Sequence, residues 1–174
     1  MPSREEIAVR LLSGALRGRR AEGSGGVTLQ VRGGSMKPLL RDGDWVGIAP
    51  AEPVPGRIVL ARAATGELIC HRVLARTPSG FLLAGDRSAT AEERPRDAVL
   101  GVVRWVSRQR RLLRLDGRLG RGIDRLLASL HRRSYRTPQP AFRPIGEWLR
   151  RRLLGIRNLA WRGAGCAKPP SSFA

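Results

Sequence analysis

Cysteine is scarce in this chain: Cys70 and Cys166 are the two among 174 residues. Two cysteines are too few for a disulfide-stapled scaffold, and they suit a reducing compartment. No run of about 18 consecutive apolar residues occurs, so we expect no membrane-spanning helix. The first residues include Glu5 and Glu6 but no apolar leader core, so we expect no secretory signal. The length predicts one ordinary domain with appendages, or at most two small domains.

Acidic residues are also few: the chain has 14 of them against 33 basic residues, which gives a formal net charge of +19. The excess of basic residues is unevenly distributed along the chain. Up to Val103 there are 15 basic and 11 acidic residues (+4), whereas from Arg104 onward there are 18 and 3 (+15). Such a basic region suits a polyanion, either nucleic acid or an anionic membrane face. The alternative is a solvated surface in a protein that uses arginine in place of lysine.

The middle of the chain alternates apolar and polar residues with period two, which is typical of strands. Glycine, proline and aspartate turns separate the segments, and this spacing predicts a compact antiparallel sheet or a small barrel. The predicted strands are Val27–Arg32, Trp45–Ala49, Ile58–Arg62, Leu68–Ala75, Phe81–Ala84 and Ala98–Val106.

The two flanks follow helical periodicity instead. Ser3–Arg17 predicts a short amphipathic helix, and a Gly/Ser linker follows it. After Arg108, two apolar stripes, within 115–130 and 145–159, are interleaved with arginine. Both stripes could lie in a membrane interface or pack on the sheet. The expected organisation is an N-terminal helix and linker (1–26), a β domain (27–108), a basic amphipathic helical tail (109–165) and a disordered terminus (166–174).

A serine stands at the end of the first predicted strand, in Gly33-Gly34-Ser35-Met36-Lys37-Pro38. Glycine permits a sharp bend, and Pro38 biases the preceding residue away from helical geometry. A serine on such a corner is exposed and aimed, as a nucleophile must be. An incidental serine in a tight turn is the alternative.

A serine nucleophile needs a neighbouring base, and the candidates are few. Lys37 lies only two residues from Ser35, and Lys168 is near the far terminus. Of the two histidines, His131 lies in the basic tail, whereas His71 lies within a predicted strand. His71 is therefore the default base, although a structural histidine remains the alternative.

Six ordered boxes between Val27 and Val106 resemble the catalytic domain of the signal peptidase I and LexA-like serine peptidase superfamily. The resemblance implies a coiled, mostly antiparallel β-sheet or partly open barrel, which agrees with the strand pattern. The boxes are Gly-Gly-Ser-Met-Lys-Pro, Arg-Asp-Gly-Asp-Trp-Val, Pro-Gly-Arg-Ile-Val, His-Arg-Val-Leu, Ala-Gly-Asp and Val-Leu-Gly-Val-Val.

The resemblance also implies roles for individual residues. Ser35 matches the nucleophile, and His71 stands where bacterial enzymes place a general-base lysine. The His-Arg-Val form is similar to the endoplasmic-reticulum and archaeal type, which uses histidine there. A carboxylate would orient that histidine. Asp86, Glu92 and Glu93 all remain candidates, because the chain departs from the family pattern after its Gly-Asp box.

The oxyanion and substrate-binding positions implied by the resemblance are Gly33, Gly34 and Met36. Gly33 replaces a serine that often assists the oxyanion in the family, and a glycine has no hydroxyl to supply that part of the electrostatic stabilisation. Met36 could equally belong to the core. No metal or cofactor is expected.

The resulting hypothesis is a serine endopeptidase that cleaves a protein or peptide precursor after small residues. We expect a cytoplasmic protein, held peripherally at an anionic membrane by its basic tail. Two alternatives stay open: a catalytically degenerate binding module of the same fold, and a nucleic-acid binder acting through the tail. The tail lacks regularly interleaved aromatic residues, which makes nucleic acid the weaker partner.

Overall fold

The structure is a computed structural model that describes residues 26–136 and 151–156. Its elements are β1 (Val27–Gln30), β2 (Trp45–Ala49), β3 (Ile58–Arg62), β4 (Leu68–Arg76), β5 (Gly80–Ala84), β6 (Glu92–Pro95), a 3₁₀ turn (Arg96–Ala98), β7 (Val99–Arg108), β8 (Arg111–Arg114) and α1 (Arg118–Arg136). Residues 151–156 are helical.

The eight strands form one antiparallel sheet in the order β1-β2-β7-β3-β4-β5-β6, and β8 pairs with β7. The sheet does not close into a barrel. Strand β7 is its longest member, and different parts of it pair with β2, β3 and β8. The predicted mainly β fold is confirmed.

Each face of the sheet carries its own core cluster, because side chains alternate across a strand. One cluster contains Met36, Leu40 and Leu60, and Cys70 packs against it. The other contains Val59, Val73 and Leu83, among others. Cys70 and His71 are consecutive in β4, so they point to opposite faces.

Two strands lie where the sequence predicted none. Strand β6 is Glu-Glu-Arg-Pro at the end of the sheet, and its polar composition gives no alternating signal. Strand β8 returns along β7 through Gln109 and Arg110, which adopt left-handed φ values of 46° and 65° without a glycine. The sequence analysis assigned β8 to the helical tail; its residues belong to the sheet instead.

Helix α1 follows the first predicted apolar stripe. Its inner side buries Asp124, Leu127, Ala128 and His131, and it packs against β4. Leu126 belongs to the same predicted stripe but is exposed. Packing on the sheet therefore accounts for only part of the stripe.

Several predicted segments fall outside the described residues. These are the N-terminal helix Ser3–Arg17 with nearly all of its linker, the predicted break at 137–144, and the terminus at 166–174. The second apolar stripe is described only over 151–156, where Leu154 is buried and Ile156 is exposed. Within the described part of the chain, no helix has the length and apolar content needed to cross a membrane.

Candidate active site

Ser35 lies in a tight turn that follows β1. Gly33 bends the chain with a φ of +88°, and Lys37 N–H donates to the Gly34 carbonyl at 3.2 Å. Met36 and Leu39 are buried, whereas Ser35 is exposed. Burial of the flanking apolar side chains anchors the turn and leaves the serine accessible.

The Gly33 N–H is already used within this turn. It donates to Asp42 Oδ1 at 2.9 Å, so it is not directed at a substrate oxygen in this conformation. The role predicted for Gly33 as an oxyanion donor is therefore not supported by its hydrogen bonding. Its conformational role in the turn is supported by its positive φ.

A partly buried ion pair lies next to the turn. Arg108, at the end of β7, donates to the two carboxylate oxygens of Asp44 at 2.8 and 2.6 Å and to the Leu39 carbonyl at 3.0 Å. Such bidentate charge-assisted pairs fix geometry well. The sequence reading treated Asp44 only as a turn residue, and nothing in the sequence indicates a partner 64 residues away.

The Gly-Asp box packs directly against the serine. A Cβ atom placed on Gly85 would lie 2.9 Å from the Ser35 Cβ, which is closer than carbon atoms pack. Arg87 N–H donates to the Ser35 carbonyl at 2.8 Å, and Asp86 N–H approaches Met36 Sδ at 3.4 Å. Gly85 is therefore a glycine because Ser35 occupies the space of a side chain.

The strand register sets the position of His71 relative to the Gly-Asp box. Arg72 pairs with Ala84 at the end of β5, and His71 and Gly85 are the next residues in that direction along the two antiparallel chains. His71 shares a sheet face with Val73, and its partner on β3 is Val59. Because Gly85 lies against Ser35, this register places the His71 backbone near the serine turn, although the β4 residues that line the groove beside Ser35 are Leu68, Ile69 and Cys70. Within the described residues, no hydrogen bond joins these two side chains.

His71 is mostly buried, with 15% of its side chain exposed. Burial lowers the pKa of His71 below its usual value, while Glu92 and then Asp86 oppose that shift. The net lowering favours the neutral imidazole near pH 7, which is the form that can accept a proton. Within the described residues, Nδ1 forms no hydrogen bond and lies 3.6 Å from Glu92 Oε1.

The three candidate carboxylates have different partners. Glu92 lies beside His71, and its Oε2 accepts from Arg94 Nε at 3.1 Å and Nη2 at 2.7 Å. Asp86 binds Arg72 through both oxygens. Glu93 is exposed and accepts from Ser79, and hydrogen bonding lowers the pKa of Glu93. The structure thus brings Glu92, rather than Asp86 or Glu93, to the imidazole Nδ1.

Arg72 connects the Gly-Asp box to α1. It is completely buried and donates to Asp86 at 2.7 and 2.8 Å, to the Gly56 carbonyl at 2.7 Å and to Asp124 Oδ1 at 3.1 Å. Burial lowers the pKa of Arg72, but the two carboxylates outweigh burial and raise it overall. Arg72 therefore stays charged, and sequence reasoning missed this network because its members are far apart in the chain.

An apolar groove of about 310 Å³ opens beside the serine. Gly33, Gly34, Ser35 and Met36 form one side, and Leu68 and Cys70 lie on the β4 side. Burial raises the pKa of the Cys70 thiol to about 12, which makes it a poor nucleophile. Met36 belongs to the buried core and also lines the groove, and its contact with a substrate stays a prediction.

The remaining histidine lies outside this region. His131 is buried on α1, and its Nε2 is 3.3 Å from the Ser88 carbonyl. In residues 26–136 and 151–156, no group of three or more His, Cys, Asp or Glu side chains is placed to hold a metal ion.

Comparison with known proteins gives one family match. The family model described as Peptidase S24-like matches residues 5–104, which include Ser35, His71, Asp86 and Glu92. No curated protein matches the chain significantly.

Proposed function

The chain belongs to the Peptidase S24-like family, and from that premise we propose that it is a serine endopeptidase with Ser35 as nucleophile and His71 as general base. The observation that carries this proposal is that three features occur in one part of the fold. An exposed serine lies on a fixed turn, and Gly85 leaves room for it. His71, whose pKa is lowered by burial, is adjacent in β4 to Arg72, which pairs with Ala84 beside Gly85. The proposed type is the histidine variant of the superfamily.

Acylation begins when Ser35 Oγ attacks the carbonyl carbon of the scissile peptide bond. His71 accepts the hydroxyl proton at Nε2, because Nδ1 faces Glu92. The Ser35 main-chain N–H is the donor proposed for the developing oxyanion. The carbon–nitrogen bond then breaks, and the imidazolium returns its proton to the leaving amine.

Deacylation repeats the cycle with water. His71 takes a proton from the water as its oxygen attacks the ester carbonyl, and the Ser35 oxygen leaves with that proton. Glu92 is proposed as the orienting carboxylate, since it would stabilise the imidazolium at both steps. The 3.6 Å separation from Nδ1 must shorten by several tenths of an ångström to make a hydrogen bond, and catalytic contacts often tighten only when substrate binds.

The proposed substrate is an extended segment of a protein or peptide precursor. The apolar groove beside Gly34, Ser35 and Met36 suits small residues before the cut, and strand β1 offers an edge for backbone pairing. Attachment to an anionic membrane through the basic C-terminal region remains part of the proposal.

A catalytically degenerate binding module is the second candidate. The observation in its favour is that Ser35 and His71 form no hydrogen bond with each other in this structure. The peptidase and the binding module would use the same groove, so only a measurement of peptide-bond cleavage distinguishes them.

Incubation of the protein with a proteome-derived peptide library, followed by mass spectrometry of new termini, tests the proposal. We expect cuts after small residues that disappear in Ser35→Ala and His71→Gln but persist in Ser79→Ala, an exposed serine outside the site. No cleavage by the wild-type protein would favour the binding module. Cleavage retained in Ser35→Ala would reject the proposed nucleophile.

A further inference from the structure

A second cavity, of about 730 Å³, lies beside the Ser35 turn, and its lining shares no residue with that of the apolar groove. Lys37, Arg87 and Arg151 provide its cationic side chains, and Asp86 and Leu154 also line it. We refer to it as the basic cavity.

The basic cavity is tied to the nucleophile through the backbone. Lys37 is two residues beyond Ser35 in the same turn, and Pro38 also lines the cavity. The Arg87 N–H donates to the Ser35 carbonyl at 2.8 Å. The basic cavity therefore adjoins the turn that bears Ser35.

None of the three cations forms a salt bridge within the part of the chain that the structure describes. Asp86 lines the cavity, but Arg72 holds both of its carboxylate oxygens at 2.7 and 2.8 Å. Like charges gathered around one concavity raise the local potential and favour an anionic ligand.

Part of the basic cavity comes from beyond the family match. The matched region ends at residue 104, whereas Arg151 and Leu154 belong to the helical residues 151–156. Leu154 is buried, which fixes this segment against the rest of the protein. The cavity therefore combines residues of the matched region with residues that follow it in the chain.

We propose that the basic cavity binds acidic side chains of the substrate on the leaving side of the scissile bond. The protein would then select precursors with small residues before the cut and aspartate or glutamate after it. This inference rests on the proposed function, because it assigns the second half of the same substrate. An acidic peptide is favoured over a membrane surface because the site is a concave cavity beside Ser35, whereas a bilayer presents a flat face.

Binding can be measured without catalysis in the Ser35→Ala protein. The probes are two fluorescein-labelled peptides with small residues before the cut and either several glutamates or the same number of glutamines after it. We expect the glutamate peptide to bind at least about tenfold more tightly, with affinity falling as salt rises. Lys37→Gln, Arg87→Gln and Arg151→Gln should each weaken its binding about threefold.

Arg114→Gln is the matched control, since it removes one exposed arginine of β8 that does not line the cavity. An equal loss in this control would show that only net charge matters and would overturn the proposal. Equal binding of the two peptides would overturn it as well.

Two further binding probes distinguish an acidic peptide from the other anionic partners, a membrane and a nucleic acid. If phosphatidylserine vesicles, but not the glutamate peptide, bind through the three cations, the cavity faces a membrane and the proposal is wrong. If a single-stranded oligonucleotide, but not the glutamate peptide, binds through the three cations, the cavity binds nucleic acid and the proposal is also wrong. Tight glutamate-peptide binding without cleavage of that peptide by the wild-type protein would retain the basic cavity and reject the proposed peptidase.

Discussion

Replacing Arg72 by methionine should destabilise the protein severely, because the substitution removes a buried charge that is hydrogen-bonded to two buried carboxylates. Asp86 and Asp124 have side-chain exposures of 3% and 5%, and Arg72 is their charged partner in the network. Removing one member of a buried ion pair costs about 3–5 kcal/mol. We expect Arg72→Met to lower the free energy of unfolding by at least that amount.

The two carboxylates bind Arg72 differently, so their replacement should have different costs. Asp124→Asn retains an oxygen that can accept from Arg72 Nη1 at 3.1 Å. Its cost should be about 1 kcal/mol, as for a typical hydrogen bond. Asp86→Asn disrupts a bidentate pair and should cost about 2–4 kcal/mol.

Equilibrium urea unfolding, followed by circular dichroism, measures these differences. The predicted order of destabilisation is Arg72→Met, then Asp86→Asn, then Asp124→Asn. A double variant, Arg72→Met with Asp86→Leu, should be less destabilised than the sum of Arg72→Met and Asp86→Leu measured singly, because the stranded charge is removed. If Arg72→Met stays within about 1 kcal/mol of the wild-type protein, the buried network is not an ion pair that holds α1 to the sheet.

Three further predictions concern the site itself. Glu92 raises the pKa of His71, so Glu92→Gln should lower that pKa further and move the acid limb of the kcat/KM profile to lower pH; a shift to higher pH would contradict its placement. Gly85→Ala should displace Ser35 and reduce kcat/KM about a hundredfold with the fold intact by circular dichroism, and full activity would refute the contact. Iodoacetamide at pH 8 should leave Cys70 unmodified in the native protein and alkylate it after unfolding, because burial raises the pKa of its thiol to about 12; rapid native labelling, read by peptide mass spectrometry, would show an accessible thiolate.

Sequence pattern predicted the central strands because each has a clear apolar alternation or a run bounded by turn residues. It missed β6, whose Glu-Glu-Arg-Pro sequence forms a strand only because β5 offers a partner. It also missed β8, whose turn at Gln109 and Arg110 lacks glycine. Pairing in three dimensions, rather than local preference, decides both elements.

The sequence allowed the individual candidate residues of the site to be predicted, but not which side chains contact one another. Ser35 and His71 stand out by their motif and by the scarcity of alternatives, and they remain predictions. Which carboxylate faces the imidazole depends on the register of β5 and β6, and a sequence cannot report that Arg72 engages Asp86. The contact between Asp124 and Arg72 could not be predicted either, because 52 residues separate them in the sequence.

The same contacts change how the basic region should be tested. A deletion from Arg108 onward would remove β8, the Arg108–Asp44 pair and the Asp124 contact along with the tail. Loss of membrane binding in such a protein would not separate charge from misfolding. Truncation after Arg136 keeps these contacts, although it also removes the 151–156 segment and its part of the basic cavity.

The most direct measurement of the central claim is the mass of the protein quenched in acid while it cleaves its best library peptide. We expect an adduct equal in mass to the acyl part of that peptide, on the tryptic fragment that contains Ser35. The adduct should be absent from Ser35→Ala and slow to form in His71→Gln. An adduct on another residue, or cleavage by Ser35→Ala, would contradict the assignment of Ser35 as the nucleophile.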